Sequence, residues 1–410
     1  MNETTKLSAV EKNAPLKPAL SIKSIVYLLQ VPLKDRDITR YGIDVMLSHG
    51  VSVTVIDVGD IVLPHLKHDR SHYSRFKGFQ LRAPRYKRDF AREQSAVEQA
   101  DLVVCLAQSQ GVSRRNLPVM RLIAKAGTPF LIWSGALMPA WDTDLFYERV
   151  DGRITKFLQL LLTKDYLNSV ISRLPRRWFG IPDAAFMLQS SPGIPRSNPL
   201  VGPNTRQIFG HTPDYDTFRK EKRKNPIVRN QAVFLDQFLP FHPDFIDSGT
   251  RSVEPGPYYA ALRGLFDRIE RELNLEVVIA PHPRADYSTM PEVFGGRPIL
   301  NSTTAQAVLE SRLVIAGGTT AVSFAVMARC PLLLVATRPL YTVGIERHFI
   351  DALSQALGMP VRWIDEPETI DLSNIFMFDE SCYNDYIATY IKSPESPDKP
   401  LWEIALEAVE

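Results

Sequence analysis

Apolar and polar positions along this chain fall into two blocks of the same texture, apolar runs of strand length set between stretches with helical spacing. In the first block the pattern predicts strands at 24–31, 51–58, 102–107, 128–134 and 184–189. Helices are predicted at 35–49, closed by Gly50, at 112–126, closed by Gly127, and over a long apolar period at 153–173. Glycine is the residue that most easily takes the left-handed conformation ending a helix. In the second block strands are predicted at 231–235, 276–280, 313–316 and 332–335, with helices at 257–273 and 303–310 and a further helix after Thr320. Strands that alternate with helices, and that read as continuous apolar runs, belong to parallel sheets covered on both faces. The expected fold class is therefore α/β, with two Rossmann-like domains and a cleft between them.

Between the blocks the texture changes. SSPGIPRSNPLVGPNTRQ is rich in turn formers, and RKEKRKNPIVR is a charge run of the kind that usually covers a solvated face. The expected boundaries are a disordered leader over 1–20, an acceptor domain over 21–190 and a linker over 191–230. A nucleotide-sugar domain follows over 231–365, and then a C-terminal segment, 366–410, that crosses back to the first domain. The last residues, PLWEIALEAVE, begin a helical pattern and stop, which leaves open that the chain is one domain of a longer multidomain protein.

Composition narrows the picture. The 410 residues are 45% hydrophobic and 23% charged, enough chain to bury two cores. A net charge of +2 gives no bulk argument for nucleic acid. The three cysteines, Cys105, Cys330 and Cys382, are far apart and form no CxxC pair, so they read as buried and reduced, in a cytoplasmic compartment. The first residues lack an apolar signal core, and no 18-residue apolar run exists.

Three strand ends carry candidate chemistry, and in a parallel sheet ligands bind outside the carboxyl ends of the strands. LEVVIA stops at Pro281-His282-Pro283-Arg284, where proline fixes the turn and can aim an imidazole. LVIA stops at Gly317-Gly318-Thr319-Thr320, followed by Ser323. There, two glycines, two hydroxyls and a helix start suit a phosphate, although threonine is also an ordinary helix cap. AVFL stops at Asp236, within FLDQFLPFHPDF. An aspartate at that point is either a group facing the cleft or a plain turn residue. His242 and Asp244 nearby support the site or are simple loop residues.

Taken together, HPR, GGTT and FLDQFLP resemble the GT-B-fold glycosyltransferases of bacterial surface polysaccharides, and in texture most of all the retaining β-Kdo transferases. The resemblance is carried by residues 231–340. It implies transfer of Kdo, a 3-deoxy-ulosonic acid, from CMP-Kdo to a lipopolysaccharide O-antigen or capsule glycan, with a lipid-linked acceptor. It implies Asp236 as the nucleophile that forms a covalent glycosyl intermediate. It implies His282, Arg284, Gly318, Thr319, Thr320 and Ser323 around the donor, with no separate cofactor and no metal. Arg284, Arg338 and Arg347 are the candidates for the sugar carboxylate. HP turns also belong to sialyltransferases, to other nonulosonic-acid transferases and to polyol-phosphate transferases of this fold. A non-catalytic glycan-binding module on a degenerate transferase fold is the remaining class.

Other motifs compete for a role. Asp142-Thr143-Asp144 and Asp214-Tyr215-Asp216 match the D-x-D pattern of metal-dependent transferases in loop-like sequence, and His65, His68 and His72 have a spacing that zinc can use. The stretch HLKHDRSHYSRFKGFQLRAPRYKRDF is basic and aromatic. It is a solvated loop, a peripheral contact with anionic lipid at the inner membrane, or, through Tyr73, Phe79 and Tyr86, a sugar-stacking surface.

Overall fold

The computed structural model describes residues 21–64, 66–107, 115–135, 139, 176–190, 198–242, 253–342 and 344–410. The helical pattern at 153–173, the leader, Asp142, Asp144, His65 and Asp244 lie outside them. Among the described residues twelve strands form two sheets, and every strand-to-strand pairing is parallel. The first sheet runs β3-β2-β1-β4-β5-β6-β7. Its strands are β1 Ser24–Leu29, β2 Ser52–Asp57, β3 Gln80–Arg82, β4 Leu102–Leu106, β5 Phe130–Ser134, β6 Phe186–Gln189 and β7 Arg206–Phe209. The second runs β12-β11-β10-β8-β9. It is built from β8 Gln231–Leu235, β9 Glu276–Ala280, β10 Leu313–Ala316, β11 Leu332–Ala336 and β12 Arg362–Trp363. The strands β8, β10 and β11 are buried from end to end, and β4 all but its last residue, which explains their unbroken apolar sequence.

Each sheet is covered on both faces. Helices Phe90–Glu98 and Leu117–Ala126 pack on one face of the first sheet. The other face receives helices Asp35–Arg40 and Ile43–Ser48 together with the C-terminal helix Leu401–Val409. Trp402 lies 6.1 Å from Tyr27 of β1, and its indole N–H donates to the Arg40 carbonyl at 2.9 Å. The end of the chain thus packs on the first sheet. It also explains why the stretch 35–49 is two helices rather than one. Gly42 breaks the run at φ +66, and a side chain there would collide with the Trp402 ring at 2.1 Å.

Within the expected linker, the described residues 198–230 include a strand and a helix. Residues 198–205 lead into β7, which pairs with β6, and the charge run begins inside the helix Pro213–Lys222. That helix buries Phe218 against the second sheet's core. Three short strands, β3, β7 and β12, carry too few apolar residues for periodicity to reveal them. Cys105 and Cys330 are buried, and burial pushes both thiols up to about 12, whereas Cys382 is partly exposed rather than buried. Among the described residues no helix is long and apolar enough to cross a membrane.

Candidate active site

In the second sheet β8 lies between β9 and β10. The chain passes from β8 to β9 on one side and then crosses to β10 on the other, so the strand order reverses at β8. Such a reversal opens a crevice at the carboxyl ends of the strands. The three singled-out turns occupy these adjacent ends: Asp236-Gln237 after β8, His282 after β9, and Gly317–Thr320 after β10.

Side chains tie the turns together. The Gln237 amide donates to the Gly318 carbonyl at 2.9 Å. A Cβ at Gly317 would stand 2.5 Å from the Gln237 Oε1, so a side chain there would push the Gln237 amide from this position. On the other side the His282 N–H points at Asp236 Oδ2, at 3.5 Å, and the Tyr287 hydroxyl donates to the same oxygen at 2.6 Å. Asp236 Oδ1 accepts the Phe238 N–H at 2.9 Å and closes a tight turn. Phe238 is forced to φ +55 there, a conformation that costs a bulky residue about 1–2 kcal/mol. Packing holds it: its ring meets Tyr287 at 5.3 Å and Phe241 at 5.4 Å.

Asp236 is 6% exposed. Burial raises its pKa above the ordinary carboxylate value, and the Tyr287, Phe238 and His282 bonds oppose that rise. Neighbouring Tyr258, Tyr259 and Tyr287 are themselves raised by burial and by the Asp236 charge. No guanidinium or ammonium pairs with Asp236 among the described residues.

His282 is partly exposed. Its Nδ1 accepts the Arg284 N–H at 3.2 Å, so the proton of the neutral ring sits on Nε2, which becomes a hydrogen-bond donor. The His242 ring packs edge-on at 5.0 Å. The Arg284 side chain is exposed beside this turn.

The Gly317–Thr320 turn differs from an open row of N–H groups. The Thr319 N–H bonds the Gly317 carbonyl, the Ala321 N–H bonds Thr319 Oγ1, and the Ser323 N–H bonds the Thr320 carbonyl. The following helix, Val322–Ala328, is only seven residues long. The N–H groups of Gly318 and Thr320 remain outside these bonds. Ser323 is buried on the inner side, beside the Tyr386 hydroxyl, which distances it from a ligand at the turn.

The other candidates separate from this site. Arg338 stacks on Trp363 at 4.0 Å and pairs with Glu366, while Arg347 lies over Tyr341 and pairs with Asp351. Asp214 and Asp216 lie in the first turn of a helix, not in a loop. Asp216 accepts the Leu401 N–H at 3.0 Å and faces His211 and Arg219. His68 and His72 bond the carbonyls of Leu63 and Leu33. Among the described residues no three potential ligands converge on a metal position. The basic stretch around residue 70 includes β3 and is anchored through Arg70 and Tyr73 to Asp57.

Sequence reasoning missed Tyr287 and the bracing role of Gln237. Tyr287 lies in a loop five residues past His282, where no periodicity marks it. Gln237 stands inside FLDQFLP, and its neighbour Asp236 is the more obvious chemical group.

No known family profile and no curated protein matches the chain. Solved structures do. The wall teichoic acid polymerase TagF (H548A variant) has 12% identity, covers 94% of this chain and 88% of its own, and gives a TM-score of 0.53. The fold is GT-B. The calicheamicin glycosyltransferase CalG4 has 12% identity over 89% of this chain and 92% of its own, with a TM-score of 0.47. MurG of Acinetobacter baumannii has 10% identity over 94% and 99%, with a TM-score of 0.43. At such identities the likeness concerns the fold, and the chemistry of this GT-B chain has to be argued from its own residues.

Proposed function

We propose that this GT-B chain is a glycosyltransferase that moves Kdo from CMP-Kdo to a bacterial surface glycan. The observation that carries the reading is the meeting of the His282, Asp236-Gln237 and Gly317–Thr320 turns at the strand-order reversal. The His282 Nε2–H and the N–H groups of Gly318 and Thr320 supply donors for the charge that grows on the departing CMP phosphate. Arg284, on the same turn as His282, is the cation this reading assigns to the sugar carboxylate. In the retaining route an Asp236 oxygen attacks the anomeric carbon and CMP leaves with the bonding pair. The acceptor hydroxyl then displaces the aspartate and gives up its proton. For that attack Asp236 Oδ2 has to leave the Tyr287 hydroxyl. The test is CMP release from CMP-Kdo, CMP-sialic acid and CDP-glycerol side by side. Release from CMP-Kdo alone supports the reading, and release from CDP-glycerol alone overturns it.

One observation favours a second reading. Asp236 is buried, and both its oxygens are occupied. Transfer of a polyol phosphate from a CDP-linked donor needs no glycosyl-aspartate, and there Asp236 would hold the His282 turn in place. Intact mass after exposure to CMP-Kdo separates the two: a gain of one Kdo on the peptide containing Asp236 belongs only to the first.

A further inference from the structure

Four of the eight large hydrophobic side chains exposed among the described residues gather on one patch, away from the strand ends just described. Ile227 is 81% exposed and Val228 60%, on the loop that enters β8. Met377 is 77% exposed and Phe376 39%, on the segment before the helix Glu380–Tyr386. Arg312 joins the two segments: its guanidinium bonds the Asn230 side chain at 2.9 Å and lies over the Phe376 ring at 5.6 Å. The Arg312 N–H bonds the Gln231 carbonyl, and the Arg229 N–H bonds the Glu310 carbonyl. The patch therefore sits at the amino ends of β8 and β10, at the opposite pole of the sheet from Asp236, His282 and Gly317. A partner there would leave the donor site open.

Isolated surface hydrophobics are ordinary, but a cluster with a polar rim marks an interaction site. The rim here is asymmetric. The 222–229 segment carries Lys222, Arg223, Lys224 and Arg229, and the 371–380 segment carries Asp371, Asp379 and Glu380. Some of these charges are engaged within the chain: Lys224 by Glu221, Arg229 by Glu310, and Asp371 and Asp379 by their own turns. Arg223 and Glu380 are exposed and form no ion pair among the described residues. A basic flank, an apolar centre and an acidic flank on one surface are self-complementary. A two-fold axis through the apolar cluster, beside Arg312, sets each basic segment against the acidic segment of the second copy and brings the apolar side chains of the two copies together. We propose that this pole is the interface of a two-fold dimer of the chain. The proposal goes beyond the transferase reading and does not rest on it.

Sedimentation at increasing protein concentration tests it. Wild type should pass from monomer to dimer, and Ile227→Asp and Met377→Asp should each weaken dimerisation about tenfold or more. Arg223→Glu should weaken it, and Arg223→Glu combined with Glu380→Arg should restore it. These side chains are exposed, so thermal melts of the variants should match wild type. A wild type that stays monomeric overturns the proposal. So does a dimer that the Asp variants leave intact, which would place the interface elsewhere, or a charge swap that fails to restore association.

Discussion

Two buried aspartates end central strands of the two sheets, and they are held in opposite ways. Asp57, at the end of β2, is fully buried and saturated: Arg70 Nε donates to it at 2.6 Å, the Tyr73 hydroxyl at 2.6 Å and the Gly59 N–H at 2.9 Å. Arg70 also grips Asp60. Asp236, at the end of β8, has a tyrosine hydroxyl and backbone N–H groups but, among the described residues, no cation. The first arrangement neutralises a charge and ties down the 63–79 loop. The second leaves a carboxylate without a countercharge among the described residues, on a strained turn beside His282. Buried charge without a countercharge is costly, and such sites are where chemistry is to be sought.

The largest expected effect breaks the saturated side. Asp57→Ala leaves the Arg70 guanidinium half-buried with only Asp60, and should cost about 3–5 kcal/mol in urea unfolding. Asp236→Asn should cost far less stability while abolishing transfer. A similar loss of stability in both variants would erase the contrast. Next in size, His282→Ala should lower CMP release by about 2–4 kcal/mol in transition-state stabilisation. Turnover at the wild-type rate would remove His282 from the site.

How far the chain announced these features follows from what kind of signal each carries. The central strands are long apolar runs, and their order of appearance with helices declares the α/β class. HPR, GGTT and FLDQ were legible because they interrupt such runs abruptly. Their convergence was not, because it depends on β8 inserting between β9 and β10, a pairing with no local signature. The strands β3, β7 and β12 are short edge or near-edge pieces with polar residues. The break at Gly42 is set by Trp402, 360 positions further along the chain, and a local helical period has no access to such a contact.

A smaller effect tests the reassigned D-x-D motif. Asp214 is raised to about 6, by burial first, with Arg40 pulling the other way. Its folded pKa exceeds the unfolded value of 3.8, so its contribution is fully present below that value and is lost as pH rises through about 6. Asp214→Asn should flatten this dependence, matching wild type near the unfolded pKa and exceeding it at neutral pH by at most about 3 kcal/mol. Activity should also survive EDTA, since we place the phosphate on His282 and backbone N–H groups. Loss in EDTA with recovery in Mg²⁺ would return the acidic pairs to consideration. The smallest change is Tyr287→Phe, which removes one hydrogen bond worth about 1 kcal/mol. That bond lowers the Asp236 pKa, so its loss should move the acid limb of the pH–rate profile to higher pH. An unmoved limb would mean that Asp236 does not titrate in the reaction.

The central claim is that the three strand-end turns of the second sheet form one phosphate site. Calorimetric titration with CMP tests it most directly, on wild type, His282→Ala and Gln237→Ala. Binding to wild type, weakened in both variants with the melting temperature preserved, is the predicted result. Equal CMP affinity in all three proteins would contradict it.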